Sequence, residues 1–252
     1  MSYINKSTTI NQLREIVDGN FNRQLGYMPN SFNEEQKHAI ELFKQRLFLE
    51  ELIDETISFN KSLQWEQNTQ NLHLTTTAEE LVQVYNLRST VYKDLGYDDE
   101  FPDVIEGLNF DDYDKSSAVI YYRNNSEITA TCRLIFDSPY SLPSEDKFSY
   151  DDFRLEHNCI GEISRNIIKH KSQGLNMEFK YLMRGVYNVF INNDIDIALS
   201  VIKQDHLKLF HKLGGVEVVE ELKGYGELDN SFYVISYDPK YASKFFKKVF
   251  LN

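Results

Sequence analysis

The stretch Gly161-Glu162-Ile163-Ser164-Arg165-Asn166-Ile167-Ile168 decides the fold of this chain. It reads as a strand carrying a glutamate and an arginine at its start. Lys169-His170-Lys171-Ser172-Gln173-Gly174 follows at once, and then a long helical pattern. A strand, a basic glycine-containing turn and a helix N-terminus together make a place to hold a phosphate-bearing carrier. A carboxylate at the strand start can take up a proton beside it. Chemistry is expected here.

Downstream, a helix is expected from about Leu175 to Asn192, a strand over Ile195 to Val201 and a short helix over His206 to Leu213. Closing strands are expected near Val216 to Leu222 and Phe232 to Tyr237. Upstream, Ser117 to Arg123 and Glu127 to Phe136 read as strands joined by the hairpin turn Asn124-Asn125-Ser126. Before them, Thr77-Ala78-Glu79-Glu80 has the form of a capping box. Leu81, Val84, Tyr85, Leu87, Val91 and Tyr92 follow at helical spacing to Leu95, and Gly96 is the expected C-cap. This order predicts an α/β domain: a mixed sheet flanked by helices, with one strand–helix–strand crossover at its centre.

The N-terminal third reads as helical. Asn33 to Leu63 carries Ile40, Phe43, Leu47, Leu52, Ile53 and Ile57 on roughly one face, with Asn33 as N-cap. Gly26-Tyr27-Met28-Pro29 reads as a turn separating it from a shorter first helix, and Gln64 to Thr76 as a linker. The expected division is a helical extension over residues 1–76 and the α/β domain over 77–252.

The chain has 252 residues, 41% of them hydrophobic and 13% aromatic, enough for a substantial core. Its net charge of −12 argues against a nucleic-acid partner. The apolar runs are too short to span a membrane, and Met1 to Asn11 does not read as a signal peptide. Cys132 and Cys159 lack metal-ligand spacing. A cytoplasmic protein with free thiols and no metal is expected. Two basic clusters stand out: Lys169, His170 and Lys171, and Lys244, Lys247 and Lys248. Each reads equally as an anion contact or as solvated surface.

No G-x-S-x-G elbow, phosphate-binding G-x-x-x-x-G-K-[ST] loop, G-x-G-x-x-G or H-E-x-x-H is present. What remains is a set of charges. Arg88 lies on the first helix of the α/β part, Asp111 and Asp114 in the loop after it, Arg133 on the second strand, and Glu162 and Arg165 on the third. They could converge at one end of the sheet as a site, or form a structural ion-pair network. Lys171-Ser172-Gln173-Gly174-Leu175-Asn176 offers N–H groups and a cation at a helix start, as many plain strand-to-helix turns also do. His206 to Gly215 reads as an amphipathic helix with a glycine cap.

Leu87-Arg88-Ser89-Thr90-Val91-Tyr92-Lys93-Asp94-Leu95-Gly96-Tyr97, Asp111-Asp112-Tyr113-Asp114, Arg133-Leu134, Phe148 and Glu162-Ile163-Ser164-Arg165 together resemble the acyl-homoserine-lactone synthases. All six charged positions of that family's signature have a match, with Tyr92 for a usual phenylalanine and Tyr97 for a usual tryptophan. Ile195-Asp196-Ile197-Ala198-Leu199, His206 with Phe210, and Leu213-Gly214-Gly215 resemble the related N-acyl amino acid synthases. Both groups are acyltransferases of the GNAT superfamily, and the resemblance spans about residues 77–238. It implies a GNAT-like, mostly antiparallel sheet with an N-terminal helical extension. It further implies transfer of a fatty acyl group from a thioester to an amine, with Glu162 as base and Arg165, Arg133, Asp111, Asp114 and Arg88 shaping the amine pocket. The carrier and acyl contacts it implies are Ile168, Lys171, Gly174, Asn176, His206 and Phe210. The superfamily turn, Gln/Arg-x-x-Gly-x-Gly/Ala, stands here as Lys171-x-x-Gly174-x-Asn176, which fits an acyl carrier protein at least as well as coenzyme A. No tightly bound cofactor is expected. The alternatives are a homoserine-lactone synthase using S-adenosylmethionine and a non-catalytic acyl- or protein-binding module.

Overall fold

A computed structural model describes residues 33–66, 70–139, 141–169, 176–228 and 231–251. The expected turn Gly26 to Pro29 and the helix before it lie outside the described residues, as do Lys171 and Gly174 of the carrier turn.

Helix α1 (Glu34–Ser62) starts at a reciprocal cap. Asn33 Oδ1 accepts from the Gln36 N–H at 2.8 Å, and Gln36 Oε1 accepts from the Asn33 N–H at 3.0 Å. Along its first turns, Lys37–Glu34 and Arg46–Glu50 pairs line the solvent side. The compact α/β unit begins at Leu52 and includes the last turns of this helix.

That unit holds a seven-stranded sheet in the order β1-β2-β3-β4-β5-β7-β6. Its strands are β1 (Leu72–Leu74), β2 (Ser117–Asn124), β3 (Glu127–Phe136), β4 (Ile160–Ile168), β5 (Ile197–Lys203), β6 (Val216–Leu222) and β7 (Phe232–Tyr237). Every neighbouring pair is antiparallel except β4 and β5, the two joined by the expected crossover helix. The helices are α2 (Ala78–Leu95), α3 (Asp151–Glu156), α4 (Met177–Asn192), α5 (Leu207–Leu213) and α6 (Lys244–Phe250). Among the described residues none is long and apolar enough to cross a membrane.

The caps fall where the residue types place them. Thr77 and Glu80 form the capping box of α2, and Gly96 ends it in a left-handed conformation at φ 67°. Helix α4 buries Phe179, Leu182, Met183, Val186, Val189 and Phe190 on one sheet face, against Ile120, Cys132, Leu134, Ile163 and Ala198. On the opposite face Ile135, Leu142, Tyr150, Ile160, Leu199 and Val234 form a second apolar cluster.

Two readings need correction. The stretch Gln64 to Thr76 is not only a linker, since Leu72–Leu74 pairs with Ile120 to Tyr122 as the edge strand β1. Three residues are too few to show a period, so the sequence conceals the strand. The strand expected at Ile195 begins at Ile197; just ahead of it the Asp196 carboxylate accepts from the N–H groups of Asn158 and Cys159, which lead into β4.

The crossover pair is short. β4 and β5 pair only at Ile160–Ile197, Gly161–Ala198 and Glu162–Leu199, although β4 runs on to Ile168 and β5 to Lys203. At the fork Ser200 Oγ donates to the Ile163 carbonyl at 2.8 Å, meeting a group that the ladder leaves. A forked sheet centre results.

Candidate active site

The second face of the sheet gathers the charges that the sequence sets out singly. Asp111 caps the 3-10 turn Asp112–Ser116, and Asp114 accepts back from the Asp111 N–H at 3.2 Å, so both carboxylates are fixed by their own backbone. Arg88 of α2 donates from Nη1 to both oxygens of Asp114 at 2.9 Å, with both side chains fully buried. Arg133 of β3 sets its fork on Asp111, Nη1 to Oδ1 at 2.5 Å and Nη2 to Oδ2 at 3.0 Å. Its Nη1 also lies 3.2 Å from Asp114 Oδ1, and its Nε donates to Ser164 Oγ at 2.8 Å. Arg165 of β4 donates to Asp111 Oδ2 at 2.9 Å and to the Tyr92 hydroxyl at 3.1 Å. Its guanidinium stacks 4.5 Å from the centre of the Phe101 ring.

Arg165 joins this cluster because β4 bulges. Arg133 faces Ser164 while Thr131 faces Ile167, so β4 has one residue more than β3 in this interval. Arg165 holds φ 52°, uncommon for a side-chain-bearing residue. Burial raises the Asp111 pKa, but Arg133 and Arg165 outweigh it and hold the carboxyl well below the usual range.

Glu162 stands next to this network without a hydrogen bond to any of its arginines among the described residues. It lies on the same sheet face as Arg133, two residues along the β3–β4 ladder, and is 3% exposed. Its Oε2 accepts from the Ser144 N–H at 3.1 Å, the Ser144 hydroxyl at 2.9 Å and the Tyr150 hydroxyl at 3.2 Å. Burial pushes its pKa up; the Ser144 donors and the Arg133 charge oppose that only in part. Tyr225, between β6 and β7, is close enough that burial and the Glu162 charge both raise its own pKa.

The expected carrier contacts divide differently. Ile168 ends β4 opposite Ala130. Asn176 is the N-cap of α4, its Oδ1 accepting from the Glu178 and Phe179 N–H groups at 2.8 and 3.2 Å. Phe210 is buried in α5 and lines an apolar cavity of about 10 Å³ with Ile163, Met183, Ser200, Leu213 and Phe246. That cavity sits across the sheet from Glu162, where β4 and β5 part. His206 is exposed at the end of the turn before α5. Lys169 pairs with Glu127. Among the described residues no cluster of potential metal ligands occurs, and burial pushes the Cys132 thiol up to about 12.

Ser144, Tyr150, Phe101 and Tyr225 did not come out of the sequence. They lie outside the regular elements that sequence periodicity picks out, and the one nearby signal is Phe148, whose ring packs 5.8 Å from that of Tyr150.

A model of the FeeM family, N-acyl amino acid synthase FeeM, matches residues 83–238. The chain belongs to this family. The matched residues include Arg88, Asp111, Asp114, Arg133, Glu162 and Arg165, and membership in the FeeM family makes the protein an acyltransferase. No curated protein sequence matches. Among solved structures, FeeM from uncultured soil microbes superposes with a TM-score of 0.53 at 17% identity, over 71% of this chain and 94% of that one. The CoA-dependent acyl-homoserine lactone synthase BjaI, with MTA, gives 0.55 at 16% identity, over 71% and 87%. The AHL synthase LasI gives 0.51 at 16% identity, over 68% and 91%. At these identities the likeness is one of fold.

Proposed function

We propose that this FeeM-family chain is an N-acyltransferase that moves a fatty acyl group from the thioester of an acyl carrier protein or acyl-CoA to the amine of an amino acid or related small molecule. The observation that carries the reading is Glu162. It is a buried carboxyl of raised pKa with three donors on Oε2 and, among the described residues, no hydrogen bond on Oε1.

The α-amino group of an amino acid is mostly protonated at neutral pH, so its attack needs a base. In this mechanism the ammonium proton leaves to solvent, the neutral amine attacks the thioester carbon, and Glu162 takes a second proton from nitrogen as it does so. The C–N bond forms, and the carbonyl oxygen becomes an oxyanion that accepts from backbone N–H groups of β4 towards Ile168. Collapse breaks the C–S bond, and the proton held by Glu162 passes to the leaving thiolate. The acyl chain runs into the fork towards Phe210, and the carrier phosphate meets the turn around Lys171, Gly174 and the Asn176 cap. Of the three arginines, Arg165 keeps the largest exposed share, 11% against 0% for Arg88 and 1% for Arg133, so it is the one that can meet an acceptor carboxylate. Arg88, Arg133, Asp111 and Asp114 hold it in place.

The matched Arg88 to Arg165 signature supports a second reading, with S-adenosylmethionine as acceptor and an acyl-homoserine lactone as product. Dodecanoyl thioesters of acyl carrier protein and of coenzyme A, each offered with the twenty amino acids or with S-adenosylmethionine, separate the readings by product mass. An N-acyl amino acid is the expected result. A lactone would select the second reading, and thioester binding without turnover of any amine would leave only a binding module.

A further inference from the structure

Glu162 owes its orientation to the segment Leu142 to Tyr150, where the sequence marks Phe148 but neither Ser144 nor Tyr150. Ser144 and Tyr150 are both fully buried, and their hydroxyls lie within hydrogen-bond reach of Glu162 Oε2 and of each other, two protons shared among three contacts. The Ser144 amide supplies a third donor to the same oxygen. We propose that Ser144 and Tyr150 are positioning residues for Glu162, holding Oε2 so that Oε1 is the oxygen presented to the acceptor amine. The inference rests on the base reading of Glu162 and adds to it the residues that aim and tune that base.

The physical argument is one of opposed effects. Removing a carboxylate from water disfavours its charged form, and donors aimed at it favour that form. The groups that face Glu162 are Arg133 from β3, Tyr150 from the segment after β3, and Tyr225 from the β6–β7 connection. Arg133 is already committed to Asp111 and Ser164. The three donors on Oε2 are therefore the direct brake on the upward shift. Fixing one oxygen also removes rotation about the last side-chain bond, which orients the other.

The test is a direct titration of the Glu162 carboxyl by carbon NMR, assigned by the resonance that Glu162→Gln removes, in wild type, Tyr150→Phe and Ser144→Ala. Tyr150→Phe keeps the ring and removes one hydroxyl, so it guards against misfolding in the serine variant. Loss of one donor to a charged acceptor is expected to raise the midpoint by about one pH unit or more. The acid limb of acyl transfer from dodecanoyl-acyl carrier protein should move up with it, giving a loss of about tenfold on that limb and little on the plateau above it. A midpoint unmoved in both variants would overturn the inference alone. Full activity in Glu162→Gln would overturn the base reading on which it rests.

Discussion

Arg165 follows Glu162 by three residues on one strand, a spacing that in a regular strand sends the two side chains to opposite faces. Both the residue types and their order were legible in the sequence. Their convergence was not, because it depends on an extra residue in β4 and on Arg165 holding a left-handed backbone, and neither has a signature in Ser-Arg-Asn. The same holds for Arg88 and Asp114, readable as charges but not as a fully buried pair. Breaking such a pair strands a charge out of water, so Asp114→Asn should cost about 3–5 kcal/mol of stability in urea unfolding. The loss should appear in the free protein, without substrate. A change within 1 kcal/mol would mean that Arg88 finds other partners on relaxation.

At the scale of elements, most boundaries follow from caps and periodicity. β3, β6 and β7 fall where alternation and turn residues place them, and α2 begins and ends at its expected caps. What escaped is held by single tertiary contacts. β1 is too short to show a pattern, and α3, six residues with none buried, has no apolar stripe. The segment that presents Ser144 is shaped by long-range bonds to Glu162 and by the pairing of Arg154 with Asp137 and Glu145. Gly161 marks another tertiary demand: a Cβ there would lie 2.8 Å from the Ile135 carbonyl oxygen of the neighbouring strand. Gly161→Ala should force β3 and β4 apart beside Glu162, lowering stability by about 1–3 kcal/mol and activity with it. Thermal melts and thiol-release rates on the same preparation check both. At the other edge, Asn60 stands in for a strand, donating to the Ser117 carbonyl and accepting from the Val119 N–H at 3.0 Å each. Asn60→Leu leaves two buried groups of β2 unmet and should cost about 2 kcal/mol or more in the same melts.

For the whole molecule, the two carboxyls on one face of the sheet respond to pH in opposite senses. Asp111 has a depressed folded pKa, so its contribution to stability is present above the unfolded value of about 4 and is lost as pH falls below it. Glu162 has a raised folded pKa, so its contribution is present below its unfolded value and is lost as pH rises through the folded one. Glu162→Gln should therefore gain stability relative to wild type as pH rises from about 4 towards neutrality, and a Tm series over pH reads this difference. Stability and catalysis would then pull Glu162 in opposite directions, as expected of a base held out of water. The most direct test of that central claim is the rate of N-acyl product formation by folded Glu162→Gln at saturating dodecanoyl-acyl carrier protein and amino acid, compared with wild type by product mass. A loss of about 100-fold or more with thioester binding intact is predicted. A rate equal to wild type would contradict it.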